Sequence, residues 1–370
     1  MAPLAVRLRQ FGSIGDPPFT PRTGVANGRS FTAVSAVLSG GPGVVIGRHR
    51  IYLKRQNLER RKGKESRMIL SFGSLNLDLV TQTPRLPTPG ETVLGNHFMT
   101  APGGKGANQA VAAARLGIPT RMVGRVGGDD FGPVLIQGLK AAGVKTDGVK
   151  IDEATHSGVA AIAVDASGEN HIIVVPGANG RVDLSDVERL NQWLPNSQIL
   201  MMQFEIPLSV VRQAAQSAHQ AGVMVILDPA PAQTNLAADF YPLIEILTPN
   251  QVEAAQLVGF PVHDPQTAAE AAAVLRRRGV QTVIIKLGVQ GALCSTTDQT
   301  FHIPAFPVTA VDTVAAGDAF NGGLATALAE RQSLRQAVIR GNAVAALSVT
   351  KVGAQPSMPD REEVDALLRK

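Results

Sequence analysis

Several common structural devices are absent from this 370-residue sequence. Its single cysteine, Cys294, excludes an intrachain disulfide and favours a reducing, cytoplasmic compartment, and we expect it in a buried strand. The seven histidines show no spacing typical of a metal site. No Gly-x-x-x-x-Gly-Lys-Ser/Thr motif is present, and no Gly-x-Gly-x-x-Gly motif follows the first predicted strand. The sequence therefore excludes a P-loop protein and disfavours a Rossmann dehydrogenase.

A long hydrophobic run is missing as well. The uncharged stretch 30–47 has nine apolar residues among 18 and is broken by glycine and proline, so we expect no membrane span or membrane partner. It also lies too far from the start for a typical secretory signal.

Positive charge is concentrated near the N-terminus. Residues 1–67 carry 13 Lys and Arg against three acidic residues, a net +10, whereas the whole chain carries +5. The remaining 303 residues therefore carry −5, which gives no indication of nucleic-acid binding. Three interpretations of 1–67 remain: translated upstream sequence, an organelle-targeting segment, or a disordered arm. We favour the first, because a strand pattern begins directly at Met68, and we assign 68–370 to one domain.

From Met68 onward, short apolar runs alternate with amphipathic stretches. The predicted strands are 68–73, 121–126, 199–203, 224–228, 244–248 and 283–286, and the predicted helices include 108–116, 208–221, 268–278 and 334–349. This alternation predicts an α/β fold in which helices cover both faces of a parallel sheet. Ligands of such sheets bind beyond the carboxyl ends of the strands, and four polar residues follow strand ends here: Asn76, Glu205, Asp228 and Asn250.

The stretch from Asp312 to Gly323 combines two carboxylates, small residues and three glycines directly before an apolar helical pattern. Small residues let backbone N–H groups approach an anion, and a helix N-terminus adds positive partial charge. Asp318 at that end is placed to act as a base beside a phosphate, as phosphoryl transfer to a hydroxyl requires. An ordinary capping aspartate is the alternative.

A second glycine-rich loop precedes another helix. The run Pro102-Gly103-Gly104-Lys105-Gly106-Ala107-Asn108 leads into an alanine-rich stretch, for which we predict Asn108 as the cap and Gly117 as the stop. Upstream, Asn76 and Asp78 stand two apart on a predicted strand and so share one face. An amide and a carboxylate on one face suit a polyhydroxylated ligand.

Five motifs, in this order, make residues 68–370 similar to the PfkB/ribokinase family of carbohydrate kinases. They are Asn76 with Asp78, Gly-Gly-Lys-Gly-Ala-Asn, Thr248-Pro249-Asn250, Lys286-Leu287-Gly288, and Asp312 to Asp318. The resemblance implies a ribokinase-like three-layer α/β sandwich with a mostly parallel central sheet. It also implies a small β lid, from strands around 76–80, 92–103 and 157–175, that covers the sugar and forms a homodimer contact. An ordinary β meander at the sheet edge is the alternative for 92–100 and 157–175.

The resemblance implies a role for each matching residue. Asp318 would be the general base, beside an anion hole made by the backbone of Ala315, Ala316 and Gly317. The implied sugar-binding residues are Asn76, Asp78, Gly104, Lys105, Asn108, Glu205 and Asp318, with helix capping or a surface position as the alternative for Glu205. The family commonly has Thr or Gly where this chain has Val314 and Ala315, a variation that does not indicate loss of activity.

Nucleotide and cation sites are implied in the same way. The implied ATP-binding residues are Asn250, Lys286, Leu287, Gly288, Val289, Gln290, Gly291, Ala316, Gly317 and Asn342. Asn250 and Glu253 resemble the element that positions Mg²⁺, although a plain capping box has the same form. The implied K⁺ site comprises Asp312, Val314, Ser348, Lys351, Gly353 and Ser357, with a structural turn closed by Pro356 as the alternative.

The activity that the resemblance implies is ATP-dependent phosphorylation of D-ribose at its 5-hydroxyl. The Gly-Gly-Lys-Gly-Ala-Asn run and the Gly-Ala-Gln-Pro-Ser sequence at 353–357 favour ribose over deoxyribose, fructose or a nucleoside. A non-catalytic sugar-binding regulator is the alternative from another class. Asp318 argues against it, because a binding protein needs no carboxylate at the phosphoryl position.

Overall fold

Two β-sheets organise the residues that the computed structural model describes, 68–234 and 236–369. The larger sheet contains β1 (Met68–Phe72), β4 (Thr120–Gly127), β5 (Lys145–Asp152), β8 (Ser197–Met202), β9 (Met224–Leu227), β10 (Ile246–Leu247), β11 (Thr282–Lys286), β12 (Ala292–Ser295) and β13 (Thr300–Ile303). Their order is β13-β12-β11-β10-β9-β8-β1-β4-β5. All pairs from β5 to β11 are parallel, and β12 and β13 continue the sheet antiparallel. The interpretations of residues 1–67 lie outside the described residues.

The smaller sheet contains β2 (Asn76–Gln82), β3 (His97–Gly103), β6 (Gly158–Val164) and β7 (Asn170–Val175), in the order β3-β2-β6-β7. These strands match the segments expected to form the lid. The strand predicted from residue 92 begins only at His97, after a bend at Asn96, whose N–H donates to the Gln82 carbonyl.

The helices are α1 (Lys105–Arg115), α2 (Phe131–Ala141), α3 (Leu184–Asn191), α4 (Leu208–Ala221), α5 (Gln251–Val258), α6 (Pro265–Arg277), α7 (Ala316–Ala329), α8 (Leu334–Ser348) and α9 (Arg361–Leu368). Side chains that alternate along β1 face opposite layers. Leu70 belongs to the core beneath α3 to α6, and Ile69 to the core beneath α7 and α8. Both are fully buried, as the uninterrupted apolar strand pattern predicts for a sheet covered on both faces. The predicted three-layer α/β sandwich is confirmed.

The start of α1 corrects one prediction. The helix begins at Lys105, after Gly104 with φ 86°, so Asn108 lies inside the first turn and the prediction that it caps the helix is wrong. Glycine tolerates this positive φ, and acceptors from distant residues replace a local cap, so the helix starts three residues early. Gly117, with φ 82°, follows the helix as predicted.

Helices α1 and α7 pack closely where small residues meet. A Cβ atom at Gly322 of α7 would collide with the Cβ atom of Ala112 in α1. In the described part of the chain, no helix is both long and apolar enough to cross a membrane. The buried strand position predicted for Cys294 is confirmed in β12.

Candidate active site

The N-terminus of α7 lacks the side-chain cap that five other described helices have, as do the N-termini of α1, α2 and α4. Helices α3, α5, α6, α8 and α9 each begin with a capping box. Helix α7 begins after Ala315, which has the left-handed conformation φ 60°, ψ 13° and makes no side-chain capping bond. The N–H groups of a first turn have no intrahelical partner. Apart from the Ala316 N–H, which donates to the Thr313 carbonyl at 3.3 Å, this end of α7 is therefore available to an anion.

Asp318 lies in that first turn and is only 3% exposed. Its Oδ2 accepts a hydrogen bond from Asn108 Nδ2 at 3.0 Å, and its Oδ1 accepts one from Gln109 Nε2 at 3.0 Å. Burial raises the pKa of Asp318 to about 6, with the nearby Lys105 charge opposing the rise and the Asp228 carboxylate adding to it. A carboxylate with such a pKa is suited to accept a proton near neutral pH.

An ion pair lies beside the predicted anion-binding turn. Lys286 Nζ lies 2.9 Å from Asp228 Oδ1, where β11 and β9 end. A Cβ atom built on Gly317 would lie 3.1 Å from the same ammonium group. The lysine side chain therefore reaches the turn on which a phosphate would be held, a contact the sequence did not assign to it.

Two of the predicted sugar-binding residues, Asn76 and Asp78, lie on β2, the strand that follows β1 of the larger sheet. Asn76 is buried, and its Oδ1 accepts a hydrogen bond from Asn179 Nδ2 at 2.7 Å. Asp78 lies against Gly103, where a Cβ atom would collide with its carboxylate. Burial raises the pKa of Asp78 to about 7, and the carboxylates of Glu205 and Asp318 add to this shift. Asp78 therefore shares one electrostatic environment with the predicted base.

Glu205 caps α1 from a distance of 100 residues along the chain. Its Oε2 accepts hydrogen bonds from the Lys105 N–H at 3.1 Å and from Ser74 Oγ. The capping role that the sequence left open for Glu205 is thus observed, and sugar binding by Glu205 stays a prediction. Burial opposes the charge on Lys105, but the carboxylates of Asp318, Asp228 and Glu205 raise its pKa above the ordinary value.

The predicted nucleotide turn is the hairpin between β11 and β12. The Leu287 N–H donates to the Gly291 carbonyl at 2.7 Å, and the Val289 side chain is 95% exposed between them. Asn342 lies farther along, buried in α8, and its Nδ2 donates to the carbonyls of Ile303 and Pro304. Its amide nitrogen is therefore engaged with the end of β13, and nucleotide binding by Asn342 stays a prediction.

Asn250 and Glu253 form the capping box of α5. Asn250 Oδ1 accepts from the Glu253 N–H, and Glu253 Oε2 accepts from the Asn250 N–H. Burial and the Asp228 carboxylate raise the pKa of Glu253 above its ordinary value. The charges of Lys286 and Lys105 oppose this rise. One carboxylate and one amide oxygen fit the sparse protein coordination that Mg²⁺ accepts. Among the described residues, no group of three or more His, Cys, Asp or Glu could hold a metal.

Asp312 joins the two loops of the predicted K⁺ site. Its Oδ2 accepts from the Gly353 N–H at 2.8 Å and its Oδ1 from the Val314 N–H at 2.9 Å. Ser348 and Ser357 each donate to a local carbonyl, which leaves their hydroxyl oxygens able to accept. The Lys351 side chain pairs with Glu363, so only its carbonyl could contribute. This set of oxygen donors fits a monovalent cation.

Sequence reasoning missed several polar residues that complete the site. Gln109, Ser74 and Asn179 were not assigned any role, and Asp228 was noted only for its position after a strand. The position of Asp228 was a usable signal. For Gln109, the only signal was a polar residue within an alanine-rich helix face.

Comparisons with known proteins agree with this geometry. The profile of the pfkB family of carbohydrate kinases matches residues 66–361. The chain is 44% identical to the ribokinase of Haemophilus influenzae over 79% of this chain and 95% of that protein. It is 37% identical to the deoxyribokinase of Salmonella typhi over 81% and 98%. The structure of Arabidopsis thaliana ribokinase complexed with ribose and ATP aligns with a TM-score of 0.76 at 34% identity, covering 82% of this chain and 99% of that one. The chain belongs to the pfkB family of carbohydrate kinases.

Proposed function

We propose that this protein is an ATP-dependent kinase that converts D-ribose and ATP to D-ribose 5-phosphate and ADP. The observation that carries the proposal is the buried Asp318 in the first turn of α7, a helix end without a side-chain cap. The relatives named ribokinase support ribose as the acceptor.

The reaction needs one proton transfer and one phosphoryl transfer. Asp318 takes the proton of the 5-hydroxyl as that oxygen attacks the γ-phosphorus, and the bond to the β,γ-bridging oxygen breaks to release ADP. The backbone N–H groups of Ala315, Ala316 and Gly317 stabilise charge on the transferring group. Lys286, which reaches Gly317, adds a positive charge on the same side. Asn108 fixes the base, and Asn76, Asp78 and Lys105 hold the sugar hydroxyls.

Two cations belong to the proposal. Asn250 and Glu253 would hold Mg²⁺, which neutralises phosphate charge when it is bound. The loops joined by Asp312 would hold K⁺, with Val314, Gly353 and Ser357 among its ligands. The loop that contains Gly353 also contacts the glycine-rich loop before α1, because Gln355 Nε2 donates to the Gly103 carbonyl at 3.4 Å.

A homodimer through the lid is also proposed. The outer strand of the lid exposes a row of apolar side chains on β7, namely Ile172, Ile173, Val174 and Val175, and Phe98 on β3 is exposed too. Exposed apolar patches of this kind mark association surfaces.

We further propose a cytoplasmic enzyme, without nucleic-acid partners, whose catalytic domain is 68–370.

Deoxyribose is the second candidate acceptor, because the chain also resembles a deoxyribokinase at 37% identity. The test is ATP consumption with D-ribose, 2-deoxy-D-ribose, D-fructose and adenosine, with the product's phosphate position assigned by NMR. We expect the highest kcat/KM for D-ribose. A higher value for another acceptor would replace ribose, and ribose binding without ATP turnover would indicate a regulator.

A further inference from the structure

Gln109 is a buried glutamine, 1% exposed, that lies between two carboxylates of the site. Its Nε2 is 3.0 Å from Asp318 Oδ1 and 3.2 Å from Asp228 Oδ2. Its Oε1 accepts a hydrogen bond from Gln203 Nε2 at 2.6 Å. Because ionised carboxylates only accept hydrogen bonds, the amide nitrogen must face them, and the orientation of the Gln109 side chain is determined.

The Gln109 side chain forms a bridge from the predicted base, Asp318, to the Asp228–Lys286 ion pair beside the proposed phosphate site. Asn108 holds one oxygen of Asp318 and Gln109 holds the other, so the carboxylate plane has two anchors. The second oxygen of Asp228 binds Lys286, whose ammonium group reaches Gly317. One amide group therefore links the proton acceptor to the positive charge beside the transferring phosphate.

Gln203 braces this bridge from the end of β8. It is fully buried, and a Cβ atom at Gly73 would collide with its Oε1, so little space exists for another conformation. Side chains anchored on a helix and at a strand end are suited to hold a catalytic group within the narrow geometry that proton transfer requires.

We infer that Gln109 is a positioning residue, which fixes the Asp318 carboxylate relative to the Asp228–Lys286 ion pair so that base and cation act in one geometry. The inference rests on the proposed kinase function and deepens it. In this inference Gln109 acts through Asp318 and Asp228, to which its amide nitrogen is bonded.

The test compares Gln109→Leu and Gln109→Glu with Gln198→Leu. Gln198 is a half-buried glutamine near the amino end of β8, away from the carboxyl ends that carry the site. We expect Gln109→Leu to lower kcat about 10- to 100-fold, with KM for D-ribose and ATP within about threefold. Gln198→Leu should leave both constants unchanged.

A pH profile separates positioning from general damage. The charged groups that face Asp318 are Lys105, Asp228 and Asp78, with Lys286 paired to Asp228, and none of them changes in these variants. Removing a donor to the Asp318 carboxylate moves the acid limb of kcat to higher pH. Gln109→Glu should move it further, because it adds a negative charge to the same space.

Three outcomes would overturn the inference: a folded Gln109→Leu with unchanged kcat, an unmoved acid limb, or a loss confined to the KM for ribose. Should Gln109→Leu fail to fold, Gln203→Leu removes only the brace and is expected to lower kcat in the same direction; an unchanged kcat there would equally count against the inference. If wild type and Gln198→Leu both fail to phosphorylate D-ribose, the proposed function fails instead, so the two failures are distinguishable.

Discussion

Asn108 donates a hydrogen bond to Asp318 across 3.0 Å and thereby joins the first turn of α1 to the first turn of α7. The two residues are 210 positions apart in the sequence. One of these helix ends belongs to the proposed sugar site and the other to the proposed phosphate site. The bond therefore sets the distance between the proposed sugar site and the proposed phosphate site before any ligand binds.

Replacing Asp318 with Asn should lower kcat about 100- to 10,000-fold, because the amide cannot take the proton of the hydroxyl. The affinity for D-ribose, measured by calorimetry, should change less than about tenfold, since the side-chain shape is kept. In the wild type, kcat should decline as pH falls below about 6, the pKa of Asp318. A variant with near wild-type kcat would contradict the assignment of the base.

The free energy of unfolding should change with pH in the direction opposite to kcat, rising as the pH falls. The pKa values of Asp78 and Asp318 are raised to about 7 and about 6 from 3.8. Between those values the folded state binds more protons than the unfolded state, so stability increases as pH falls from 8 to 5.5. The free energy of unfolding should rise by about 3 kcal/mol over this range, at about 1.4 kcal/mol per pH unit for each extra proton that the folded state binds.

Calorimetric unfolding of the ligand-free protein across this range provides the measurement. Asp318→Asn should show a smaller change with pH, because one of the two groups no longer titrates. A midpoint temperature that drops steadily from pH 8 to 5.5 in the wild type would show the sign to be wrong.

Gly104→Ala should impair sugar binding as well as stability. Gly104 has φ 86°, and a Cβ atom there would lie 2.7 Å from the Asn76 backbone nitrogen. We expect a rise in the KM for D-ribose of about tenfold or more and a loss of about 1–3 kcal/mol in the free energy of unfolding. Gly143→Ala is the matched control, with φ 82° and no atom within 4 Å of the added Cβ. It should lose stability while its KM for ribose is unchanged; equal KM values in both variants would exclude a specific effect.

Activity should be higher in K⁺ than in Na⁺ at constant ionic strength. Asp312 links the loop before α7 to the loop at Gly353, so an ion bound there would order the anion-binding turn. Asp312→Asn should remove most of the difference between the two salts in a steady-state assay. Asp298→Asn, in the exposed turn between β12 and β13, is the control and should retain it. Equal wild-type rates in both salts would count against the cation site.

The sequence predicted the elements better than it predicted their partners. Apolar runs and the stop at Gly117 followed from local patterns, and so did the buried strand containing Cys294. The error at Asn108 arose because the cap of α1 comes from Glu205, which no local pattern reveals.

The hydrogen-bond network around Gln109 could not be predicted from local sequence patterns for the same reason. Gln109 bonds to residues 119 and 209 positions away, and these pairings exist only once the sheet has formed. Likewise, the parallel pairing of β2 with β6 in the small sheet depends on a crossover through the large sheet. Motif resemblance selected residues that the structure brings together, without specifying which of them touch.

The close contact of Gly322 with Ala112 has an evolutionary and engineering consequence. Because a side chain at Gly322 would collide with Ala112, the two helices that carry the proposed sugar and phosphate residues pack as one block, which leaves adaptation to a new sugar little freedom between them. Altered acceptor preference is therefore expected to come from the small sheet, whose strand β2 carries Asn76 and Asp78 and lies outside that block.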